Sequence, residues 1–297
     1  MIQIQNITKK IGNKMVLKDI ELNIEKGSIF GLIGENGAGK TTLIKCLTGI
    51  YKVDVGSVKI DDEEVFENNK IKQKIGYVAD QNNYFTYFKI EEIIEFYKRA
   101  YDKFSVERFE RLNDIFKISK EKKIKDLSKG MKMQLSLMLN FSINPEVLIL
   151  DEPTSGLDAV VKKKVIKILI DEVADNGTTV FISSHHLEEI ERICDNIAII
   201  ENGEIKYVNS IENMKDSIKK LQVLFEEKAQ DEIKTWDEVL CVESIGRITY
   251  IIVKDYSEEL QLRLKDKGAK FIEEINLSLE DIFIYSVEEE LENEKCI

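Results

Sequence analysis

Residues 34–41, GENGAGKT, have phosphate-loop spacing: a glycine, four residues of any type, then Gly-Lys-Thr. A buried-strand pattern, IFGLI at 29–33, leads into this loop, and apolar residues at helical spacing follow it. Glycines let the backbone turn tightly, so that successive N–H groups and a helix N-terminus can face the β- and γ-phosphates of a nucleotide. Because the strand, loop and helix signals agree, the stretch favours an ATP site over a simple glycine turn.

Several residues of this loop are candidates for contact with the cofactor. The ammonium of Lys40 supplies a cation, the hydroxyl of Thr41 is placed to ligate Mg²⁺, and Thr42 can reach another phosphate oxygen. The remaining candidates around the phosphates are Gly34, Asn36, Gly37 and Gly39. The loop therefore predicts ATP and Mg²⁺ as cofactors.

A second apolar strand pattern, VLIL at 147–150, ends in two acids, Asp151 and Glu152. We expect Asp151 to hold Mg²⁺ through water and Glu152 to polarise the attacking water as a general base. Two acids at a strand end can also be merely solvated. Together with the phosphate loop, however, the pair favours a nucleotide hydrolase.

The composition suits a globular protein of one large or two smaller domains, with 297 residues of which 43% are hydrophobic. No apolar run reaches the roughly 18 residues of a spanning helix, and the N-terminus lacks the layout of a signal peptide. The net charge of −12 disfavours nucleic acid as a partner. The 4 cysteines form no CxxC pair, which argues against zinc and disulfides. We therefore expect a protein of the reducing cytosol.

Periodicity predicts an α/β chain in several parts. Alternating apolar residues at 2–24 indicate a small antiparallel sheet, which we expect to form a flap on the base side of the nucleotide. Apolar stripes at helical spacing indicate an all-helical insert at about 85–143. Apolar runs at 147–150, 180–182 and 197–200, separated by helix patterns, indicate parallel crossover units.

The pattern changes again beyond residue 210. The sequence predicts strands at 221–226, 239–245, 248–254 and 270–275, and helices near 257–267 and 278–290. The Glu-rich tail at 288–294 is expected to be solvated or frayed. We therefore expect a main domain at 1–210 and a small α+β accessory domain at 211–297.

Over about residues 1–210 the chain resembles the ATP-binding cassette (ABC) family, because five motifs occur in the family's order. After the phosphate loop, residues 127–131, LSKGM, resemble the LSGGQ signature and precede the Asp-Glu strand. Residues 155–158, SGLD, match the D-loop, and residues 183–185, SSH, match the switch histidine. The resemblance implies a P-loop NTPase core of ABC type that hydrolyses ATP.

The resemblance also implies roles for the later motifs. Ser128, as a helix N-cap, and the N–H of Gly130 form an anion site that closes on the γ-phosphate of ATP held by a second cassette. Two cassettes, identical or different, then sandwich two nucleotides. Asp158 links the two sites across that interface, and His185 contacts the γ-phosphate and Glu152. A lone histidine is more often structural, but its place after Ser-Ser at a strand end favours this role.

The chain departs from the family at three places. Ile11 stands where the family has an aromatic side chain stacked on adenine, so Ile11 is the candidate for packing on the base. Lys129 and Met131 occupy the second and last signature positions. Asp80 stands at the position of the family's Q-loop glutamine, and a glutamine follows one residue later, at Gln81. We favour Asp80 as a metal ligand, because Gln81 would reach the metal only if the preceding strand ended one residue later.

The leading functional hypothesis is the ATPase subunit of an ABC transporter that powers a separate membrane permease from the inner face of the membrane. The SKGM signature resembles that of bacterial exporters from drug and peptide-antibiotic resistance operons, which favours export. Aromatic residues within 82–88 lie where such cassettes receive a cytoplasmic helix of the permease, although they fit the core of the helical insert equally well. The alternatives are an ABC ATPase acting on the ribosome or DNA and a regulatory ATP-binding module.

Overall fold

A computed structural model of the chain describes residues 1–81, 86–225, 230–254, 256–282 and 285. The chain divides into two compact units, Met1–Val208 and Asn209–Ile297. The Glu-rich tail at 288–294, most of the helix expected at 278–290 and residues 82–85 of the aromatic stretch lie outside the described residues. Within the rest of that stretch the side chain of Tyr87 is 75% exposed, so it does not belong to the core of the helical insert.

A largely parallel sheet forms the centre of the first unit. Its strands are β3 (Ile29–Ile33), β6 (Ile75–Val78), β7 (Val147–Asp151), β8 (Thr179–Ser184), β9 (Asn196–Glu201) and β10 (Glu204–Ser210). They lie side by side in the order β10-β9-β3-β8-β7-β6. Strand β3 pairs in parallel with β8 and β9, and β7 pairs in parallel with β6 and β8. The apolar sequences of β3 and of residues 147–150 in β7 are explained by burial on both faces of the sheet.

The beginning of the chain forms an antiparallel sheet, as the alternation of apolar and polar residues at 2–24 predicts. Its strands are β1 (Ile2–Ile11), β2 (Lys14–Ile24), β4 (Val55–Ile60) and β5 (Glu63–Glu64), in the order β2-β1-β4-β5. Ile4 and Ile7 are both fully buried although residues three apart in a strand normally point to opposite faces. Asn6, with φ 47°, lies in a register shift between them. This bulge turns both isoleucines to the core.

Helices surround the central sheet of the first unit. They are α1 (Lys40–Leu47), α2 (Asn69–Lys72), α3 (Ile90–Ala100), α4 (Val106–Phe116), α5 (Lys129–Ser142), α6 (Ala159–Asn176) and α7 (Leu187–Glu191), with a 3₁₀ turn at Ile124–Asp126. The helical insert predicted at about 85–143 corresponds to α3, α4 and α5. Arg108 on α4 pairs with the buried carboxylate of Glu172 on α6, and it donates to Asn144 Oδ1 at 2.6 Å. This ion pair fastens the insert to the helix that follows β7.

The second unit is an α+β fold around a four-stranded antiparallel sheet. Its elements are α8 (Ile211–Ser217), β11 (Ile218–Phe225), α9 (Gln230–Ile233), β12 (Val239–Ile245), β13 (Ile248–Lys254), α10 (Glu258–Asp266) and β14 (Ala269–Ile275). The strand order is β12-β13-β11-β14. Leu260 and Leu264 of α10 pack in one buried cluster with Leu221, Val223 and Val253 of the sheet. The α+β prediction is confirmed, but β11 begins at Ile218, three residues before the predicted 221, because Ile218 is itself buried.

Candidate nucleotide-binding and hydrolysis site

The phosphate loop joins β3 to α1 and brings the N-terminus of α1 to one end of the central sheet. Gly39 caps α1 with φ 119°, a conformation that side-chain-bearing residues rarely adopt. A Cβ atom on Gly34 would lie 2.5 Å from the backbone oxygen of Ile200, so this position has no room for a side chain. The loop therefore needs glycine at 39 for its backbone conformation and glycine at 34 because close packing leaves no room for a side chain.

A cavity of about 320 Å³ opens beside this loop. Its lining residues are Val16, Glu35, Asn36, Gly37, Gly39, Lys40, Thr41, Thr42, Asp80, Asp151 and Glu152. Nine of these were singled out from the sequence; Val16 and Glu35 were not. The ends of β6 and β7 thus meet the phosphate loop at one place, as expected of parallel strands whose carboxyl ends share an edge of the sheet.

Lys40 is buried, and its ammonium is held inside the loop. Its Nζ atom donates to the backbone oxygens of Gly34 at 2.6 Å and of Glu35 at 3.3 Å. The same atom lies 3.4 Å from Oε1 of Glu152. The lysine therefore places a positive charge between the loop and the acidic end of β7.

Asp151, the last residue of β7, is 1% exposed. The hydroxyl of Ser183 donates to its Oδ1 at 2.7 Å. Burial raises the pKa of Asp151, the nearby hydroxyls of Ser183 and Thr41 oppose that rise, and the charges of Glu152 and Asp80 add to it. A positive charge close to Asp151 would stabilise its ionised form.

Glu152 follows in the left-handed backbone conformation, with φ 50°. Its backbone N–H donates to the carbonyl and the hydroxyl oxygens of Ser183, each at 3.2 Å. On the side chain, Oε2 lies 2.8 Å from Nδ1 of His185, while the buried Oε1 has the ionic contact with Lys40 but no hydrogen bond. This buried oxygen can accept one further hydrogen bond, from a molecule that enters the cavity.

The donor set suits Mg²⁺ bound together with nucleotide phosphates. Thr41, Asp80 and Asp151 present oxygens, and Mg²⁺ commonly takes one or two carboxylates while phosphates and waters complete its shell. In the described part of the chain, no group of three or more His, Cys, Asp or Glu side chains forms a metal site on its own. The buried Glu152 Oε1 and the raised pKa of Asp151 both fit an added cation and its ligands.

The two Q-loop candidates have different surroundings. Asp80 lines the cavity and its Oδ1 lies 3.4 Å from Nζ of Lys129, whereas Gln81 is exposed and does not line the cavity. The structure thus brings Asp80, and not Gln81, to the other candidates. Which of them ligates the metal stays a prediction.

The signature residues lie outside the cavity lining. Ser128 caps α5, and its Oγ accepts from the N–H of Met131 at 3.2 Å. The ammonium of Lys129 donates to Oγ of Ser155 at 3.0 Å, in the D-loop. Gly130 packs against that loop so closely that a Cβ atom would lie 2.8 Å from the oxygen of Gly156. The signature and the D-loop therefore contact each other within one chain.

Two further predicted residues also lie away from the cavity lining. Asp158 caps α6, with Oδ1 accepting from the N–H groups of Val160 and Val161 at 3.0 Å each. Ile11 is 45% exposed at the end of β1, while Val16 on the neighbouring strand lines the cavity. Their roles in a dimer and at the base stay predictions.

The fold and the site together define a phosphate-loop nucleotide hydrolase. The strand that ends in Asp-Glu is separated from the phosphate-loop strand by one strand, β8, which supplies Ser183 to both acids. Ser183 was noted from the sequence only as part of the motif before His185. Its contact with the acids depends on pairing between distant strands, which sequence spacing does not reveal.

Comparison with known proteins identifies the family. The ABC transporter family pattern matches residues 17–155. The chain is 34% identical over 284 residues to the ABC transporter ATP-binding protein YtrB of Bacillus subtilis, which covers 96% of this chain and 97% of YtrB. The chain therefore belongs to the ABC transporter ATP-binding protein family. It is an ATP-binding and ATP-hydrolysing subunit of that kind.

Other relatives differ in the transport that their names describe. The bacitracin transport ATP-binding protein BcrA of Enterococcus faecalis is 33% identical, over 69% of this chain and 68% of its own length. The methionine import ATP-binding protein MetN of Clostridioides difficile is 35% identical, over 72% of this chain and 70% of its own length. The names of these relatives thus describe both antibiotic transport and nutrient import.

Solved structures agree on the fold. The ATP-binding subunit of an ABC transporter superposes with a TM-score of 0.67 at 25% identity, covering 72% of this chain and 92% of that one. A dimeric post-hydrolysis ATP-binding cassette bound to ADP and phosphate superposes with a TM-score of 0.65 at 23% identity, over 71% and 99%. Among the helices that the structure describes here, none is long and apolar enough to span a membrane.

Proposed function

We propose that this chain hydrolyses ATP to power a separate transmembrane permease, and that the transport is export. The observation that supports hydrolysis most directly is the contact set of Glu152, which lies 3.4 Å from Lys40 and 2.8 Å from His185 beside the phosphate loop. The similarity to YtrB over 96% of the chain, including the second unit, supports a transporter role for the whole chain.

The chemistry follows from these positions. Lys40, Thr42 and the loop residues Gly34, Asn36, Gly37 and Gly39 bind the phosphates of ATP through the ammonium, a hydroxyl and backbone N–H groups at the start of α1. Glu152 accepts a proton from water as the water oxygen bonds to the γ-phosphorus. The bond from that phosphorus to the bridging oxygen of ADP breaks, releasing ADP and phosphate.

His185 assists by its contact with Glu152. The ring holds the carboxylate in position through Nδ1, and its exposed edge is available to the γ-phosphate. Mg²⁺, when bound with ATP, would neutralise phosphate charge, and Thr41, Asp80 and Asp151 are the residues that would hold it. Because Ser183 donates to Asp151, that carboxylate is already held in place before nucleotide arrives.

A second cassette completes the site. Ser128 and Gly130 at the start of α5 form an anion site that closes on the γ-phosphate held by the partner cassette, identical or different. Asp158, at the start of α6, couples the two sites, and Ile11 packs on the adenine of the bound nucleotide. In this proposal neither cassette hydrolyses ATP efficiently alone.

The direction of transport and the location of the chain are further parts of the proposal. The SKGM signature and the similarity to a bacitracin transport protein support export, while the methionine importer among the relatives is the competing possibility. We assign residues 1–210 to the ATPase domain and 211–297 to an accessory domain, on the inner face of the cell membrane. With a net charge of −12, nucleic acid is not a proposed partner.

Fractionation of cells that produce the tagged chain tests the partner. The chain is expected in washed membranes when the permease is present, and it is expected to purify with a protein of several spans. Lys40→Ala serves as a control, because losing ATP should not remove the permease contact. Recovery with ribosomes, or only in the soluble fraction, would contradict the proposal.

A further inference from the structure

Glu189 lies on α7, the short helix that follows His185, and it contacts two other elements. Its Oε1 accepts a hydrogen bond from Nζ of Lys162 at 2.6 Å, and its Oε2 accepts one from the hydroxyl of Thr154. Lys162 lies in the first turn of α6, and Thr154 lies two residues after Glu152. One carboxylate therefore ties α7 both to the segment that follows β7 and to the start of α6.

These contacts are partly shielded from solvent. Thr154 is 6% exposed, and the side chains of Glu189 and Lys162 are 19% and 32% exposed. Burial alone would raise the pKa of Glu189, but the hydrogen bonds from Lys162 and Thr154 outweigh it, and the pKa lies below its ordinary value. Glu189 is therefore a carboxylate at neutral pH, and its charge-assisted bonds are stronger than those of a fully exposed pair.

The same two segments are joined again at the catalytic side. Nδ1 of His185, two residues before the first residue of α7, lies 2.8 Å from Oε2 of Glu152. The side chain of His185 is 41% exposed, so surrounding packing holds its ring only in part. The ring also lies against that of His186, the N-cap of α7, with the two centroids 3.9 Å apart, so a shift of α7 would also move its surroundings. Glu189 anchors α7 to the segment that follows Glu152 through its contact with Thr154.

We propose that Glu189 is a positioning residue for ATP hydrolysis. It holds α7 on Thr154 and Lys162 so that His185 stays in contact with Glu152. This inference rests on the function proposed above for His185 and Glu152. Since Lys162 follows Asp158 at the start of α6, the same carboxylate links the D-loop to the switch histidine.

A double-mutant cycle between Glu189→Ala and His185→Ala tests the proposal, with kcat, KM for ATP and the thermal midpoint measured for each protein. Glu189→Ala alone is expected to lower kcat about ten- to hundredfold through misplacement of His185, with KM nearly unchanged. In the His185→Ala background the same change is expected to leave kcat unaltered. Additive losses in the two backgrounds would overturn the proposal, because Glu189 would then act independently of His185.

Conservative and control variants separate positioning from folding. Glu189→Gln can still accept from Lys162 and donate to Thr154, so it is expected to recover most of the rate. Lys162→Met removes one contact of Glu189 without changing any residue of α7. It should lower kcat in the chain that has His185 and leave kcat unaltered in the His185→Ala background. Glu188→Ala, an exposed neighbour on α7, is the matched control and should retain the wild-type rate. No rescue by Glu189→Gln, or an equal loss in Glu188→Ala, would contradict positioning.

The outcomes also separate this inference from the proposed function. If His185→Ala keeps the wild-type kcat, the proposed role of His185 is wrong and the inference falls with it. If His185→Ala lowers kcat but Glu189→Ala does not, the proposed function stands and only the inference is overturned.

Discussion

The phosphate loop and the start of α5 are both proposed phosphate-binding sites, but they differ in how far one chain organises them. At the phosphate loop, Lys40 and Asp151 are buried, and their polar partners come from the loop itself, from β8 and from Glu152 directly after β7. At the start of α5, Ser128 is exposed and uses its hydroxyl to cap its own helix, and the side chain of Lys129 is 58% exposed. The first site is organised before ligand binds, whereas the second lies at the surface, and one of its N–H groups, that of Met131, is already bonded to Ser128.

This difference explains why a cassette of this kind would need a partner. A buried, preorganised site can bind ATP on its own, because its charges are already fixed in low-dielectric surroundings. An exposed helix start contributes little to binding in water, where solvent competes for the same N–H groups. It gains strength only when a second surface excludes that solvent. The predictions below test each side of this contrast.

The largest expected effect is that of Glu152→Gln. The amide keeps the shape of the side chain but loses the base, so hydrolysis is expected to fall about a hundred- to ten-thousandfold while ATP binding remains. Phosphate release and a binding titration measure the two quantities. Wild-type turnover in this variant would mean that the base lies elsewhere.

Lys40→Ala is expected to lower ATP affinity by about ten- to a hundredfold or more, since the charged hydrogen bonds to phosphate are lost. Its fold should survive, because the ammonium serves the loop and not the core. Lys163→Ala, an exposed lysine on α6, is the matched control. Undiminished affinity by calorimetric titration would remove Lys40 from the site.

Ser128→Ala separates capping from catalysis in the exposed site. Loss of the cap is expected to destabilise the protein by about 1 kcal/mol. The proposed contact with the partner's nucleotide adds a fall of about tenfold in hydrolysis, without a change in ATP affinity of the single cassette. Ser257→Ala removes an equivalent cap, on α10 in the second unit, and is the control for stability alone. If the two variants hydrolyse ATP equally, Ser128 does no more than cap α5.

The smallest effect is expected at the Q-loop. Asp80→Ala should raise the Mg²⁺ concentration needed for half-maximal ATP binding by about three- to tenfold, because one oxygen ligand or water-mediated contact is lost. Gln81→Ala should leave it unchanged, since Gln81 does not line the cavity. A raised requirement only in Gln81→Ala would reverse the assignment, and no change in either would exclude the loop from the metal site.

Local pattern was sufficient for the parts of the fold that obey one periodicity. The phosphate loop, the apolar strand before Asp151 and the helices of the insert were all predicted, because their signals lie within a few consecutive residues. The short helix α8 and the strand β10 were not predicted. Each spans only seven residues, and no residue of β10 is fully buried, so neither carries a clear periodic pattern of apolar residues.

The site shows the same division. The individual residues came from motifs, and the family resemblance also implied the contact of His185 with Glu152, but other contacts among them did not follow from the sequence. The hydroxyl of Ser183 on Asp151, the ammonium of Lys129 on Ser155 and the carboxylate of Glu189 on Thr154 each join segments that are far apart in the chain. Such contacts depend on strand order and helix placement, which no spacing rule within one motif contains.

Light scattering on the Glu152→Gln variant tests most directly whether two cassettes share the nucleotide. With saturating ATP and Mg²⁺, the variant is expected to be a dimer that holds two ATP molecules, because the exposed start of α5 then closes on bound phosphate and hydrolysis no longer opens it. Adding Ser128→Ala to this variant is expected to weaken the dimer. A monomer at saturating ATP, with binding confirmed in the same sample, would contradict the shared site.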